Sequence, residues 1–358
     1  MSVDQALIAF REAPARQVGA AVRFERLERY RVTLSDGHEV GVAVAGRGIP
    51  LVMVHGISVT GMLYAQSLAR LAGLGFKVFA IDLPGHGDSG ALPAGSIDLG
   101  AHAEFVGRVI RELGIRRAVL AGHSLGGRIM AELVAEDPEL AIALLLVDAP
   151  VGGLWDGLIA LARWSPPLVS LLGATLAIDT TMTFLTAGPA QAGKLARLGA
   201  RNAVANLTRP WRVVSAAASV LLAPSSGPTL RRLAASRVPV FFLHGSHDLV
   251  VPLRSARDAA ARAAGDLVVV RGGAHSWLLE HPVALPAIVA ELLQGRLGEA
   301  CQEAASAGTP GSACLRPRDA EVACLEIGSL ASRLAGKKTA TLRPFEPSRL
   351  SWSIHSHR

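Results

Sequence analysis

Gly122-His123-Ser124-Leu125-Gly126-Gly127 lies between the apolar run Ala118-Val119-Leu120-Ala121 and a helix-compatible segment, Leu125 to Glu136. A chain that leaves a strand and enters a helix over so few residues turns sharply. The corner serine is held strained, with its hydroxyl at the edge of the sheet. Glycines on both sides fit this turn, because a Cβ there would strike the neighbouring strand and helix. The pentapeptide G-x-S-x-G also arises by chance in a chain rich in alanine and glycine, so its flanks give it weight.

The flanks repeat along the chain. Phe24 to Leu34 and Glu39 to Ala45 alternate around Asp36-Gly37, a hairpin signal. Short apolar runs follow at Leu51–Val54, Lys77–Ile81, Ala118–Ala121 and Leu144–Val147, separated by helical patterns at Met62–Leu74, Asp98–Leu113 and Leu125–Glu136. Apolar strands alternating with helices predict a mostly parallel sheet covered on both faces. The rhythm stops at Ala149-Pro150 and resumes with strands at Val238–Leu243 and Leu267–Val270 and helices at Leu253–Ala264 and Pro282–Leu293. The expected organisation is therefore an N-terminal helical extension (1–21), a first core part (22–150), a helical lid (151–237), a second core part (238–295) and a basic tail (296–358). The tail, with Gly308-Thr309-Pro310-Gly311-Ser312 and a Ser-rich basic end, is expected to be disordered.

Composition removes several function classes. Half the residues are hydrophobic and 18% are charged, which argues against global disorder. The net charge is +7, but the arginines are scattered, with no dense basic block carrying interleaved aromatics, so no nucleic-acid partner is expected. Attraction to an anionic membrane is left open by the same charge. Cys301, Cys314 and Cys324 all lie near the C-terminus, away from the candidate chemistry, and supply neither a disulfide framework nor a metal site there. Met1 to Arg11 is interrupted by Asp4, Gln5 and Arg11 and does not read as a signal peptide. Pro166 to Leu185 contains Pro167, Gly173, Asp179 and four threonines, a better lid or amphipathic segment than a membrane span. A cytoplasmic location is expected, with loose peripheral membrane contact open; the oligomeric state is not encoded in any motif.

A serine hydroxyl is a poor nucleophile at neutral pH and needs a base, which in turn needs an acceptor to fix its tautomer. Asp248, in Gly245-Ser246-His247-Asp248, follows the strand ending at Leu243. His275, in Gly272-Gly273-Ala274-His275-Ser276, follows the strand ending at Val270. The order Ser124, Asp248, His275 is the one expected for an elbow serine on a doubly wound sheet. Asp148, at the end of the preceding strand, is a rival for the acid.

With these residues the chain resembles the α/β-hydrolase fold family, in its capped serine-hydrolase branch of esterase- and lipase-like proteins. The resemblance runs from about Arg31 to Gln294 and rests on His55-Gly56, Asp82 to Gly90, Gly122 to Gly127, Gly245 to Pro252 and Gly273 to Pro282. It implies an α/β fold with a mostly parallel eight-stranded sheet and a helical lid after the sixth strand. It also implies a catalytic triad with Ser124 as nucleophile, His275 as general base and then acid, and Asp248 as the orienting carboxylate. The backbone N–H groups of Ile57 and Leu125 would form the oxyanion hole. His55 and His86 are expected to be structural, Asp82 and Asp88 to organise their glycine-rich loop. No metal and no cofactor are expected, since the histidines show no ligand spacing. A serine at the elbow favours acyl transfer over the ring opening or dehalogenation that a carboxylate there would suggest. Trp155, Leu158, Trp164, Leu172, Leu176 and Phe184 in the lid suggest a hydrophobic ester as the small-molecule substrate. An acyltransferase, a carbon–carbon bond hydrolase and a non-catalytic ligand-binding protein on the same fold remain the alternatives.

Overall fold

The computed structural model describes residues 23–92, 97–187, 189–208, 211–306, 317–326, 328–341 and 350–356. The expected N-terminal helix over 1–21 and Cys314 lie outside these residues. Nine strands form the main sheet, in the order Ser351–His355 (β11), Asp266–Arg271 (β9), Val240–Gly245 (β8), Ala141–Val147 (β7), Ala118–His123 (β6), Ile49–Val54 (β4), Phe76–Ile81 (β5), Glu39–Gly46 (β3) and Glu28–Thr33 (β2). The central members are β4 (Ile49–Val54), β5 (Phe76–Ile81), β6 (Ala118–His123), β7 (Ala141–Val147) and β8 (Val240–Gly245). Every residue in these five strands is buried. That is why they read as unbroken apolar runs, since a strand covered on both faces has no solvent side to alternate with. They and β9 (Asp266–Arg271) run parallel, so all six carboxyl ends share one rim. Antiparallel β2 (Glu28–Thr33) and β3 (Glu39–Gly46) close one side, joined by the Asp36-Gly37 hairpin.

Helices cover both faces. On one side lie α1 (Ala65–Gly73), the short α10 (Trp277–Glu280), α11 (Ala284–Leu292) and α12 (Arg296–Ser306), burying Leu68, Trp277, Leu285, Ile288 and Leu297. On the other lie α2 (Leu99–Glu112), α3 (Leu125–Glu136), α8 (Gly227–Ala235) and α9 (Leu253–Arg262), burying Phe105, Ile129, Leu230 and Ala259. Helix α2 shows why such segments form: Asp98 caps it by accepting from the Ala101 N–H (3.2 Å), and its apolar residues recur every three to four positions toward the sheet.

Between β7 and β8 the chain inserts α4 (Gly153–Ala162), α5 (Pro166–Thr186), α6 (Pro189–Thr208) and α7 (Trp211–Leu221) before α8. Leu230 and Leu233 of α8 belong to the core beneath the sheet, so the insertion has rejoined the body by Gly227, ahead of the expected boundary at 237.

Two sequence expectations need correction. The main sheet has nine strands, not eight, because β11 (Ser351–His355) adds antiparallel to the β9 edge. Residues 296–358 are also not a disordered tail where they are described. Helix α12 buries Leu297, Cys301 and Ala304 against the sheet. Helix α13 (Pro317–Cys324) follows, and Glu321 accepts from the Gly48 N–H (3.0 Å) and pairs with Lys77 (3.8 Å). Leu325 bridges Ile115, and Ala331 in α14 (Leu330–Arg333) donates its N–H to the Leu113 carbonyl (2.8 Å). Strand β10 (Lys337–Thr341) pairs with β1 (Arg23–Arg26) in a separate two-stranded sheet. The composition misled because the Gly-Thr-Pro-Gly-Ser run and the basic, Ser-rich end mask short apolar stretches that are buried. They are held by that burial and also by the open amide edge of β9 and by backbone groups before β4 and β6.

Candidate active site

Ser124 sits between the end of β6 and the start of α3 with φ +53° and ψ −125°. A non-glycine residue in this region costs on the order of 1–3 kcal/mol. The strand and helix hold it there, with its N–H donating to the Val147 carbonyl (2.9 Å) and its carbonyl accepting from Arg128 (3.1 Å). The flanking glycines are required by contact: a Cβ on Gly122 would lie 2.3 Å from the Gly126 carbonyl oxygen, and one on Gly126 would lie 2.4 Å from that of Val54. The turn therefore lifts the Ser124 hydroxyl above the rim of the sheet.

The loops after β8 and β9 deliver the other two residues. Asp248 Oδ1 accepts from the Val250 and Val251 N–H groups (both 2.8 Å), and Oδ2 lies 2.8 Å from His275 Nδ1. His275 Nε2 is 2.9 Å from Ser124 Oγ. With Nδ1–H donating to Asp248, Nε2 is left as the acceptor of the serine O–H. Burial works to raise the Asp248 carboxyl, but the His275 imidazole and the amide donors outweigh it and hold it below the usual carboxylate range. For His275 burial pushes the pKa down. The Asp248 charge, its hydrogen bond and the more distant Asp179 charge overcome this, so the imidazole lies above its usual value.

Asp148, the rival acid, is fully buried at φ +46° and accepts from the Gly245 N–H (2.8 Å). Burial and the neighbouring Asp248 charge raise its carboxyl well above the ordinary range. Its contact to the histidines is to His244 Nδ1 (3.7 Å), whereas His275 is paired with Asp248. Ligand-type atoms of Asp148, His244 and Asp248 lie within 4.8 Å of one another. They are engaged within the chain: His244 Nε2–H donates to the Val251 carbonyl (2.8 Å), and Asp248 accepts at both oxygens.

Three residues support His275 in ways the sequence did not disclose. Its N–H donates to Asp179 Oδ1 (2.9 Å), and Asp179 Oδ2 accepts from the Ser276 hydroxyl (2.7 Å). Asp179 comes from the middle of α5, in the insertion, 96 residues before His275. The His275 carbonyl accepts from His123 Nε2–H (2.9 Å), whose Nδ1 accepts from the Tyr64 hydroxyl (2.9 Å). Burial and the neighbouring His275 lower the His123 pKa to about 3 against the opposing pull of its bond to the His275 carbonyl, and leave the ring neutral. The only sequence signal for Asp179 was its oddity, a carboxylate inside an apolar stretch.

Ile57 follows His55-Gly56 at the end of β4 and lines the same cavity as Ser124 and His275. Leu125 opens α3, where backbone N–H groups have no partner within the helix. His55 fixes this loop as a neutral ring, with Nδ1–H donating to the Gly56 carbonyl (2.7 Å) and Nε2 accepting from the Leu83 N–H (2.9 Å); burial lowers its pKa to about 4. Asp82 holds the glycine-rich loop through Arg29 (2.5 Å) and the Gly61 N–H (2.9 Å).

The cavity above Ser124 is about 490 Å³. Val59, Leu63, Leu176, Phe184, Leu195 and Leu279 make it apolar, while Thr180, Asn202 and Asn206 add polar edges from α5 and α6. Asn206 donates to the Ser58 carbonyl (3.1 Å) and Gln191 to that of Leu279 (2.6 Å), tying α6 to the loops around the site.

The sequence profile of the alpha/beta hydrolase family matches residues 51–287. A protein of Mycobacterium phage D29, provisionally described as a non-heme haloperoxidase, is 33% identical over 259 residues, covering 70% of this chain and 90% of its own. Among solved structures, a bacterial membrane phospholipase A aligns with a TM-score of 0.61 at 23% identity over 83% of this chain and 92% of its own. The esterase RhEst1 from Rhodococcus sp. ECU1013 aligns at 0.56 and 24% identity over 75% and 99%. At these identities the structures establish a shared fold.

Proposed function

The chain belongs to the alpha/beta hydrolase family, and on that premise we propose that it is a serine hydrolase that cleaves a carboxylic ester with a hydrophobic acyl group through an acyl-enzyme. The observation that carries this reading is the continuous hydrogen-bonded path from Asp248 through His275 to Ser124, with 2.8 and 2.9 Å steps. Ser124 Oγ attacks the ester carbonyl as its proton passes to His275 Nε2. The carbonyl oxygen becomes an oxyanion facing the N–H groups of Ile57 and Leu125, donors of a kind that each lower the barrier by about 3 kcal/mol. The imidazolium, stabilised by Asp248, then gives its proton to the departing alkoxide, and the C–O bond breaks to leave alcohol and acyl-serine. A water molecule deprotonated by His275 attacks the acyl carbon, and Ser124 leaves as the alcohol.

Helices α4 to α7 serve as the lid in this reading. The apolar cavity under α5 and α6 is of a size for a medium acyl chain, and the phospholipase and esterase likenesses agree with acyl-ester chemistry. Ser124→Ala is expected to reduce turnover of p-nitrophenyl esters by a factor of roughly a thousand or more, and to abolish labelling by a fluorophosphonate probe. Full turnover by that variant would remove the proposal. Labelling at Ser124 without hydrolysis of any ester in a chain-length series would redirect it toward acyl transfer.

A further inference from the structure

Among the described residues, thirteen large apolar side chains are exposed, and twelve of them fall between Leu154 and Leu222, on the helices of the insertion or just past their ends. Helix α5 is the extreme case. Its 18-residue core has a mean hydropathy of 1.6, yet only 11% of it is buried. An apolar helix of this length is ordinarily either packed in a protein core or in contact with lipid. Here the buried residues are the polar pair Asp179 and Thr183, which face the site. Leu171, Ile178, Met182 and Leu185 recur at steps of seven, four and three, which places them in one stripe along the outer edge. Just before α5, Trp164 is 89% exposed beside the exposed Arg163, and Leu207 near the end of α6 is 80% exposed. Trp beside Arg is a pairing suited to a bilayer interface.

Charge identifies the partner. Residues 151–226, which include α4 to α7, contain six Lys and Arg but only two acids, an excess of four cations. Both acids are engaged: Asp156 accepts from Ser225 and Ser226, and Asp179 from His275 and Ser276. We infer that the outer face of α4 to α7 docks on an anionic lipid bilayer, with its apolar stripe in the headgroup region and its cations among the phosphates. A second copy of the chain would set one cationic surface against another. A nucleic acid would leave the apolar stripe in water. The inner faces of α5 and α6 roof the Ser124 cavity, so a docked molecule would hold that cavity next to the membrane. The consequence that substrate is an ester dissolved in the bilayer rests on the hydrolase reading, whereas the docking itself does not.

Flotation of the full chain with vesicles tests this. The protein is expected to float with vesicles of phosphatidylcholine mixed with phosphatidylglycerol, to float less with phosphatidylcholine alone, and to be released at high salt. Combining Trp164→Ser with Leu171→Gln, Ile178→Gln and Leu185→Gln is expected to weaken partition roughly ten-fold or more. That variant should keep turnover of a short soluble ester, which also reports its folding, and none of the four residues lines the cavity. Ser124→Ala should float like the parent, so loss of the hydrolase reading would leave vesicle binding intact. The inference is overturned if the parent stays in solution with anionic vesicles, if the quadruple variant floats equally well, or if light scattering shows a parent dimer that the variant converts to monomer.

Discussion

His275 is held from four directions, and each hold comes from a different part of the chain. Asp248 and Ser124 fix the ring, Asp179 the amide and His123 the carbonyl. Asp179 is thus proposed as a positioning residue, and its charge is among those that raise the His275 pKa. In the proposed reaction the neutral imidazole is the base, so the acid limb of kcat/KM should have its midpoint above the ordinary histidine value near 6.5 and fall away below it. Asp179→Asn removes the charge and weakens acceptance from the His275 amide. It should shift that limb to lower pH and lower kcat by roughly 3- to 30-fold with less effect on KM. A pH–rate profile identical to the parent's would reduce Asp179 to a structural role.

At the scale of elements, the elbow and the insertion behave in opposite ways. The elbow is fixed by backbone contact and admits no side chain at Gly122 or Gly126. Gly122→Ala should destabilise the fold by about 2 kcal/mol or more, read as a lower urea midpoint, and should lose fluorophosphonate labelling at the same time. Retained stability would mean that β6 and α3 can part without cost. The insertion makes fewer buried contacts, and polar side chains such as Asp179, Gln191 and Asn206 tie it to the loops around the site. Strands β4 to β8 were legible in sequence because burial on both faces leaves an unbroken apolar run. Helix α5 was only half legible: its apolar character was plain, but which edge faced the site depended on a carboxylate whose partners lie 96 and 97 residues away.

For the whole molecule, the C-terminal residues change from ornament to support. Leu297 and Cys301 are buried in the core, and burial pushes the Cys301 thiol up to about 12, which leaves it unreactive at neutral pH. The Tyr30 hydroxyl donates to the Ala335 carbonyl (2.6 Å), and Trp352 Nε1–H to Glu291 (2.6 Å). These contacts join the chain's end to the hairpin β2–β3 and to α11. Truncation after Gly295 should lose roughly 2 kcal/mol from Leu297 alone, lower Tm by several degrees and expose the β9 edge to aggregation. A truncated protein with the parent's Tm and solubility would show that 296–358 are dispensable for the fold.

The order of strands, the elbow and the three residue types at successive strand ends could be read from the sequence, because burial and sharp turns leave local signatures. Contacts that join distant segments leave none. Tertiary structure alone decided that an insertion carboxylate braces the His275 loop and that a C-terminal stretch completes the sheet, and it placed the expected Asp248, not the rival Asp148, against His275. The reason is the same in each case: a hydrogen bond between residues far apart in sequence is a property of the folded geometry, and neither partner's neighbours encode it.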